Sequence, residues 1–420
     1  MGLDEQINQA KDLIDRDPKQ AGQALRAVVF DAPGTDVDTV RAKEQAIGFL
    51  SDVYVKLGDA KSLADLLAQL REFFGAIPKA KTAKIVRGII DQIAKIPDST
   101  QLQVAVCKEQ AEWARTEKRT FLRQRIELRL AALYLQMQDY PTALSILGTL
   151  NSEVKKLDDK LLLVDIHLLE SKVHHAVRNL PKSRAALTAA RTAANAIYVP
   201  VALQAEIDTQ SGVLHAEERD YKTGYSYFFE AFEQFSALGD PQAVSALKYM
   251  LLCKIMLNES GDVPALISAK AGLKYTGRPV DAMRAVAQAY QERSLQAFQD
   301  ALEAYKDELA GDAIVHAHLK ALYGTLLEQN LVRLIEPFSR VEIGHVAGLI
   351  KLPVPEVEAK LSQMILDKKF SGTLDQGAGC LEVFDIQDGD TVFPAALDIM
   401  DSLGGVVDTL FTRSQKVVAV

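Results

Sequence analysis

Cysteine is scarce in this chain, with only Cys107, Cys253 and Cys380, far apart in sequence. Three thiols so spaced offer neither a disulfide framework nor a ligand cluster, and they fit a reducing compartment. Aromatic residues make up 7% of the chain, with Trp113 the single tryptophan. No apolar run is long enough to span a membrane, and the first residues do not read as a signal peptide. Met1-Gly2 is followed by Leu3-Asp4-Glu5-Gln6, without the Ser or Thr of a myristoylation site. Basic residues are in deficit, 48 against 56 acids, for a formal net charge of -8. That balance argues against wholesale binding of nucleic acid or anionic membrane. No glycine-rich turn carries a strand into a helix, so the phosphate-loop enzymes are excluded. Together these absences lead us to expect an intracellular, soluble protein with no cofactor and no metal.

What is present is helix. Across 420 residues, hydrophobic residues reach 48% and charged residues 25%, with Ala and Leu abundant. Turn signals recur at a steady interval: Gly58-Asp59, Asp139-Tyr140-Pro141, Asn179-Leu180-Pro181, Asp220-Tyr221 and Asp262-Val263-Pro264. The Asp/Asn positions lie 80, 40, 41 and 42 residues apart, and the double step places a further turn near Pro97-Asp98-Ser99. A period near 40 predicts stacked helical hairpins, each needing its neighbours to bury its apolar face. In one repeat Leu130, Leu133, Tyr134 and Met137 form the inner face of a first helix, and Ala143 and Leu147 begin the second. In the next, Leu169, Val173, His174 and Val177 precede Ala186 and Leu187. Small residues at equivalent places, Ala143, Ser183 and Gly224, mark close helix crossings. The first fifty residues match less well. Asp17-Pro18 and Asp31-Ala32-Pro33-Gly34 suggest two short helices divided by loops.

The pattern changes between Leu326 and Asp385. Leu331, Leu334 and Ile335, then Ile343, Val346, Leu349 and Ile350, keep helical spacing. Pro353 and Pro355 open a third helix with Val357, Leu361, Met364 and Ile365 on one face. The period then falls to two. Phe370, Gly372 and Leu374 lead to a Gln376-Gly377-Ala378-Gly379 turn, from which Leu381, Val383 and Phe384 return. Three short helices and a hairpin describe a winged helix. DNA readers share that layout, but between Asn330 and Asp385 six basic residues stand against eight acidic ones, the wrong balance for phosphate neutralisation. Protein docking is the better reading.

After a turn-rich linker, Ile386 to Asp390, a last helix starts near Pro394. Ala396, Met400, Leu403, Val407 and Leu410 alternate spacings of four and three, the seam of a coiled coil, widened by Ile399 and Val406 and weakened by Gly404-Gly405. The alternatives are a helix folded back on its own winged helix or one that joins a partner bundle, and we favour the second. No active site assembles. The histidines lie on helices, with His174 on an apolar face and His316 and His318 pointing apart. Only convergence of Cys107, His174 and a carboxylate in a cleft would revive the enzyme class. A cluster of Arg115, Lys118, Arg119, Arg123 and Arg125 is a candidate docking patch for an acidic protein surface, its ordinary alternative being a solvated helix face.

A helical-repeat rod joined to a winged helix resembles the PCI-domain proteins of the proteasome lid, the COP9 signalosome and translation initiation factor three. EKRTFLRQ (117–124), LLESKVHHAVRNLPKSRAALTAARTAANAIY (168–198), LKYMLLCKIMLN (247–258), LLEQNLVRLIEPFSRVEI (326–343) and KLSQMILDKKFSGTLDQG (360–377) resemble, within that group, the family of non-ATPase subunit six of the 26S proteasome regulatory particle. The likeness spans roughly residues 109–384, while the first hundred share only the repeat spacing. It implies a mostly α fold: a right-handed solenoid of tetratricopeptide-like (TPR-like) hairpins over 1–325, a winged-helix (PCI) module over 326–388, and a C-terminal bundle helix over 389–420. It also implies a non-catalytic scaffold for ubiquitin-dependent degradation, cytoplasmic and nuclear. Its partners would be other PCI-domain lid subunits, the proteasomal ATPase ring and the core α-ring subunits. The winged-helix contacts would fall to Phe338, Ile343, Leu374, Leu381 and Val383, and the bundle contacts to the Ala396–Leu410 seam. The alternatives are a COP9 signalosome scaffold and a winged-helix nucleic-acid-binding adaptor.

Overall fold

The computed structural model describes residues 7, 9–11, 13, 17–30, 37–97, 99–270, 272–384 and 392–418. The described chain is built almost wholly of helices, and it divides into two compact units, Met1–Leu257 and Asn258–Val420. The first unit begins with helices α1 (Pro18–Phe30), α2 (Val37–Leu57), α3 (Ala60–Gln69) and α4 (Arg71–Ala76). It continues through α5 (Lys79–Ala94), α6 (Thr100–Thr116), α7 (Thr120–Gln136), α8 (Tyr140–Leu157) and α9 (Lys160–Ala176). Then follow α10 (Leu180–Asn195), α11 (Val201–Glu217), α12 (Tyr221–Leu238) and α13 (Gln242–Met256). The gap between α5 and α6 falls where the 40-residue period requires a turn. Asp31 to Gly34, read from sequence as a loop, lies outside the described residues.

One turn geometry recurs within this unit. Gly58, Gln138, Arg178 and Arg219 adopt left-handed backbone, with φ of 68°, 64°, 64° and 64°. The next residue, Asp59, Asp139, Asn179 or Asp220, caps the following helix by accepting from the N–H of Ser62, Thr142, Lys182 or Thr223. Its own N–H donates back to the carbonyl of Tyr54, Tyr134, His174 or His215, at 2.9–3.0 Å. The left-handed residue stops one helix and the cap starts the next within two residues, leaving few orphaned backbone groups. The connection is so short that consecutive helices must run antiparallel. Met137 and Val177, read from sequence as inner-face positions, sit at these helix ends and are exposed. Of the other inner positions, Leu130, Leu133, Tyr134 and Val173 are buried, whereas Leu169 and His174 are half-buried.

The close crossings fall where the small residues predicted them. Ala143 and Ser183 have no exposed surface, and the Ser183 hydroxyl donates to the Ser171 carbonyl at 2.8 Å. A methyl group added at Gly224 would stand 3.3 Å from the Gly212 carbonyl oxygen, and one at Gly212 would stand 2.7 Å from the Phe228 ring. Helices α11 and α12 therefore meet almost backbone to backbone, around a fully buried phenylalanine.

The second unit carries α14 (Val263–Ser268), α15 (Arg278–Gln291), α16 (Leu295–Ala304), α17 (Lys306–Ala310) and α18 (Ala313–Ile335). Its winged helix consists of β1 (Arg340–Glu342), α19 (Ile343–Ile350), α20 (Val354–Leu366), β2 (Ser371–Asp375) and β3 (Cys380–Phe384). The three strands form an antiparallel sheet in the order β1-β3-β2, with Val341 opposite Leu381 and Leu374 opposite Leu381 from the other side. Strand β1 is absent from the sequence reading, being three residues long with one buried side chain, Val341. The first helix of the expected module proves to be the end of a 23-residue helix, which runs through position 325 without a break. Gly379, with φ of 63°, closes the β2–β3 turn, and the Asp375 carboxylate accepts from the Ala378 N–H. Helix α21 (Val392–Val418) ends the described chain. The linker expected at Ile386 to Asp390 lies outside the described residues.

Two expectations follow for the first unit. Gly212→Val should lower the melting temperature, costing about 1–3 kcal/mol as the buried Phe228 ring is forced aside. Gly148→Ala, where an added methyl meets nothing within 4 Å, should instead gain up to about 1 kcal/mol of helix propensity. Equal melting of both variants would contradict the close crossing. The second concerns Asp165 on α9, whose carboxyl is pushed up to about 6 by burial, against the opposing pull of Arg125. Its folded value lies above its unfolded one, so its contribution to stability is fully present below about pH 4 and is lost as pH rises through 6. Asp165→Asn should therefore stabilise the chain by about 1–2 kcal/mol at neutral pH, with the gain vanishing near pH 4, as read by denaturant unfolding at both pH values.

Candidate partner-binding surfaces

The winged helix separates structural residues from exposed ones. Ile343 and Leu381 are 3% and 1% exposed and lie in its core with Val341, Val346, Val357 and Leu361. Read from sequence as docking residues, they instead hold the sheet against α19 and α20. Phe338 is 53% exposed, and Leu374 and Val383 are half-buried on β2 and β3. The module also exposes Leu349, Val354, Leu366 and Phe384, which the sequence reading did not single out as a surface. Their signal was an apolar residue outside the buried helix stripe, a pattern that a lone sequence does not separate from the core. Strands β1 and β2 each have one edge unpaired within the sheet.

The face that would read DNA has little charge to offer. Of the three lysines on or just after α20, Lys360 and Lys369 both bond the Glu328 carboxylate of α18, Lys360 at 2.8 Å. Burial pushes the Glu328 carboxyl up, but the two lysine contacts outweigh it and the group lies below its ordinary range. Glu328 thus ties the long helix to the winged helix and consumes two of the charges a phosphate backbone would need.

Helix α21 is exposed over residues 392–415. Met400 and Leu403 are 67% and 58% exposed, and Ala396, Val407 and Leu410 are exposed with them. Among the described residues it does not fold back on the winged helix, contrary to the alternative reading. The helix continues through Gly404-Gly405. Phe393, Leu397 and Phe411 add to the apolar stripe beyond the positions read from sequence.

The arginine cluster does not form one patch. Arg115 pairs with Glu112 and Glu127 at 3.2 and 3.5 Å, and Arg123 pairs with Glu153 and Glu127. Arg119 turns inward, donating to the Phe74 carbonyl at 3.1 Å with its guanidinium over the Trp113 ring. Arg125 lies 3.9 Å from Asp165. Lys118 is exposed at a left-handed turn position and has no ion pair among the described residues. Neighbours in sequence are here dispersed over a helix end, a turn and the next helix.

The thiols of Cys107 and Cys253 are buried and pushed up to about 11 and 12 by desolvation, the reverse of an activated nucleophile. The charges acting on Cys107 are Arg129 and Asp91. His174 sits elsewhere, lowered by burial against the field of Glu170. The convergence of Cys107, His174 and a carboxylate does not occur. Among the described residues no three His, Cys, Asp or Glu side chains gather as a metal site, and no helix is long and apolar enough to cross a membrane.

Comparison with known proteins agrees with this arrangement. Residues 3–137 match the family described as the 26S proteasome regulatory subunit RPN6 N-terminal domain, and residues 302–385 match the PCI domain. The chain is 62% identical over 391 residues to the 26S proteasome non-ATPase regulatory subunit 11 homolog of Arabidopsis thaliana, covering 93% of each. It is 50% identical to the probable 26S proteasome regulatory subunit rpn6 of Schizosaccharomyces pombe, over 94% of each chain. Against the 26S proteasome regulatory subunit RPN6 of Saccharomyces cerevisiae the identity is 44%, over 98% of this chain and 95% of that one. The likeness includes the first hundred residues, where the sequence reading found only repeat spacing. With repeats, winged helix and terminal helix in place, and identity at this level across nine-tenths of the length, the chain belongs to the RPN6 family, that of the 26S proteasome non-ATPase regulatory subunit 11.

Proposed function

We propose that the chain is a non-catalytic structural subunit of the proteasome lid, which assembles through its PCI domain and supports ubiquitin-dependent protein degradation. The observation that carries this reading is the apolar stripe of α21. Phe393, Leu397, Met400, Leu403, Val407 and Phe411 are all half or more exposed, on a helix with no buried side chain among those described. Exposed patches of this kind mark interaction sites. Written as heptads, the apolar residues occupy four of the seven positions, while Asp398, Asp401, Ser402 and Asp408 share the remainder. A stripe so wide suits a bundle of several helices better than a two-stranded seam.

On this reading the three parts, 1–325, 326–388 and 389–420, divide the work. The winged helix meets other PCI-domain lid subunits along its strand edges and the exposed Phe338. The terminal helix enters a bundle with theirs. The helical repeats reach toward the ATPase ring and the core α-ring subunits, in the cytoplasm and the nucleus. The COP9 signalosome alternative is not favoured, since these relatives carry proteasomal names over nearly their full lengths. The nucleic-acid alternative lacks free basic charge on α20.

The reading is tested by Met400→Asp with Leu403→Asp. Both side chains are exposed, so the purified variant should keep its circular dichroism and melting temperature. Expressed with a tag in its own cells, it should fail to copurify with a peptidase of proteasomal size. Global unfolding of the isolated variant, or undiminished copurification, would contradict the proposal.

A further inference from the structure

A groove of about 400 Å³ opens over α5, α7, α9 and α11, the first helices of four successive repeats. Its floor is apolar, from Ile90, Leu128, Ala132, Leu169 and Leu203. Its rim is charged, but most of that charge is already matched. Lys172 pairs with Glu206 at 2.6 Å, and Arg125 faces Asp165 at 3.9 Å. Two guanidiniums remain without a carboxylate among the described residues. Arg87 spends its Nε on the Ala83 carbonyl of its own helix, and Arg129 makes no hydrogen bond or ion pair among the described residues. Against them stands one uncompensated acid of the lining, Asp91. In a chain of net charge -8, this is a local excess of positive charge above an apolar floor.

We propose that this groove holds an extended segment of a partner protein whose acidic side chains face Arg87 and Arg129 and whose apolar side chains lie on the floor formed by Ile90, Leu128 and Leu203. The guanidinium fork suits a carboxylate, and the pairing is worth most where an apolar surface beside it excludes water. A groove of this size with an apolar floor and a few polar groups has the make-up of a binding site. A free anion would use the arginines and leave the floor exposed. A basic segment would meet Arg87 and Arg129 and find only Asp91 to pair with. The site lies within the first unit and is independent of the terminal helix, so its failure and that of the proposed lid function are separable.

The test uses the full chain and three sets of short fluorescein-labelled peptides, read by fluorescence anisotropy at low salt. One set mixes Asp and Glu with Leu and Phe, the second mixes Lys and Arg with Leu and Phe, and the third is polyglutamate. The acidic–apolar set should bind saturably, and Arg87→Glu with Arg129→Glu should weaken it about tenfold or more, about 1.4 kcal/mol, at unchanged melting temperature. Arg87→Gln with Arg129→Gln should weaken it in the same direction, which guards against a misfolded reversal variant. Equal binding of polyglutamate would reduce the groove to an unspecific anion surface and overturn the proposal. No saturable binding, preference for the basic set, or indifference to both arginine variants would overturn it as well.

Discussion

The two-residue turn, a left-handed residue followed by an Asp or Asn cap, is the constraint on which the first unit depends. It ends one helix and begins the next with backbone groups largely satisfied, so the chain reverses without a loop to absorb slack. Neighbouring helices are then held at one register, and the side chains at their crossings must be small. Ala143, Ser183 and Gly224 follow from that, as does the near contact of Gly212 with Phe228. Three of the left-handed positions carry Gln or Arg instead of glycine. The chain tolerates that backbone cost, of order 1 kcal/mol each, because the cap and the returning N–H bond offset it.

The caps are also why the repeat was legible. Asp139, Asn179 and Asp220 are needed for their side-chain oxygens, so their spacing survives in the sequence as a plain period. The hairpin wing was legible for a similar reason, since its alternation and its Gly379 turn are local. What stayed hidden was set by distant partners. The arginines from 115 to 125 look like one charged face, yet Arg123 is answered by Glu153, Arg125 by Asp165, and Arg119 by the Phe74 carbonyl. Each of those lies 30 or more residues away. Leu381 likewise looked like an apolar surface until β1 placed Val341 opposite it. A three-residue strand carries too little periodicity to be read alone.

The winged helix shows how one shape serves a different end. In DNA readers the third helix presents free basic side chains to phosphates. Here Lys360 and Lys369 are committed to Glu328 on α18, so the same residues fasten the module to the helix before it. The module and its following helix also leave apolar side chains exposed: Phe338, Leu349 and Leu366 on one, and the wide stripe of α21 on the other.

The proposed role of α21 as an interface is tested most directly by hydrogen exchange of its amides. In the purified chain, a helix with no packed face should open readily, so residues 392–418 should exchange far faster than the repeat helices. In the assembled proteasome the same amides should become protected. Strong protection already present in the purified chain, or fast exchange retained in the assembly, would contradict the account.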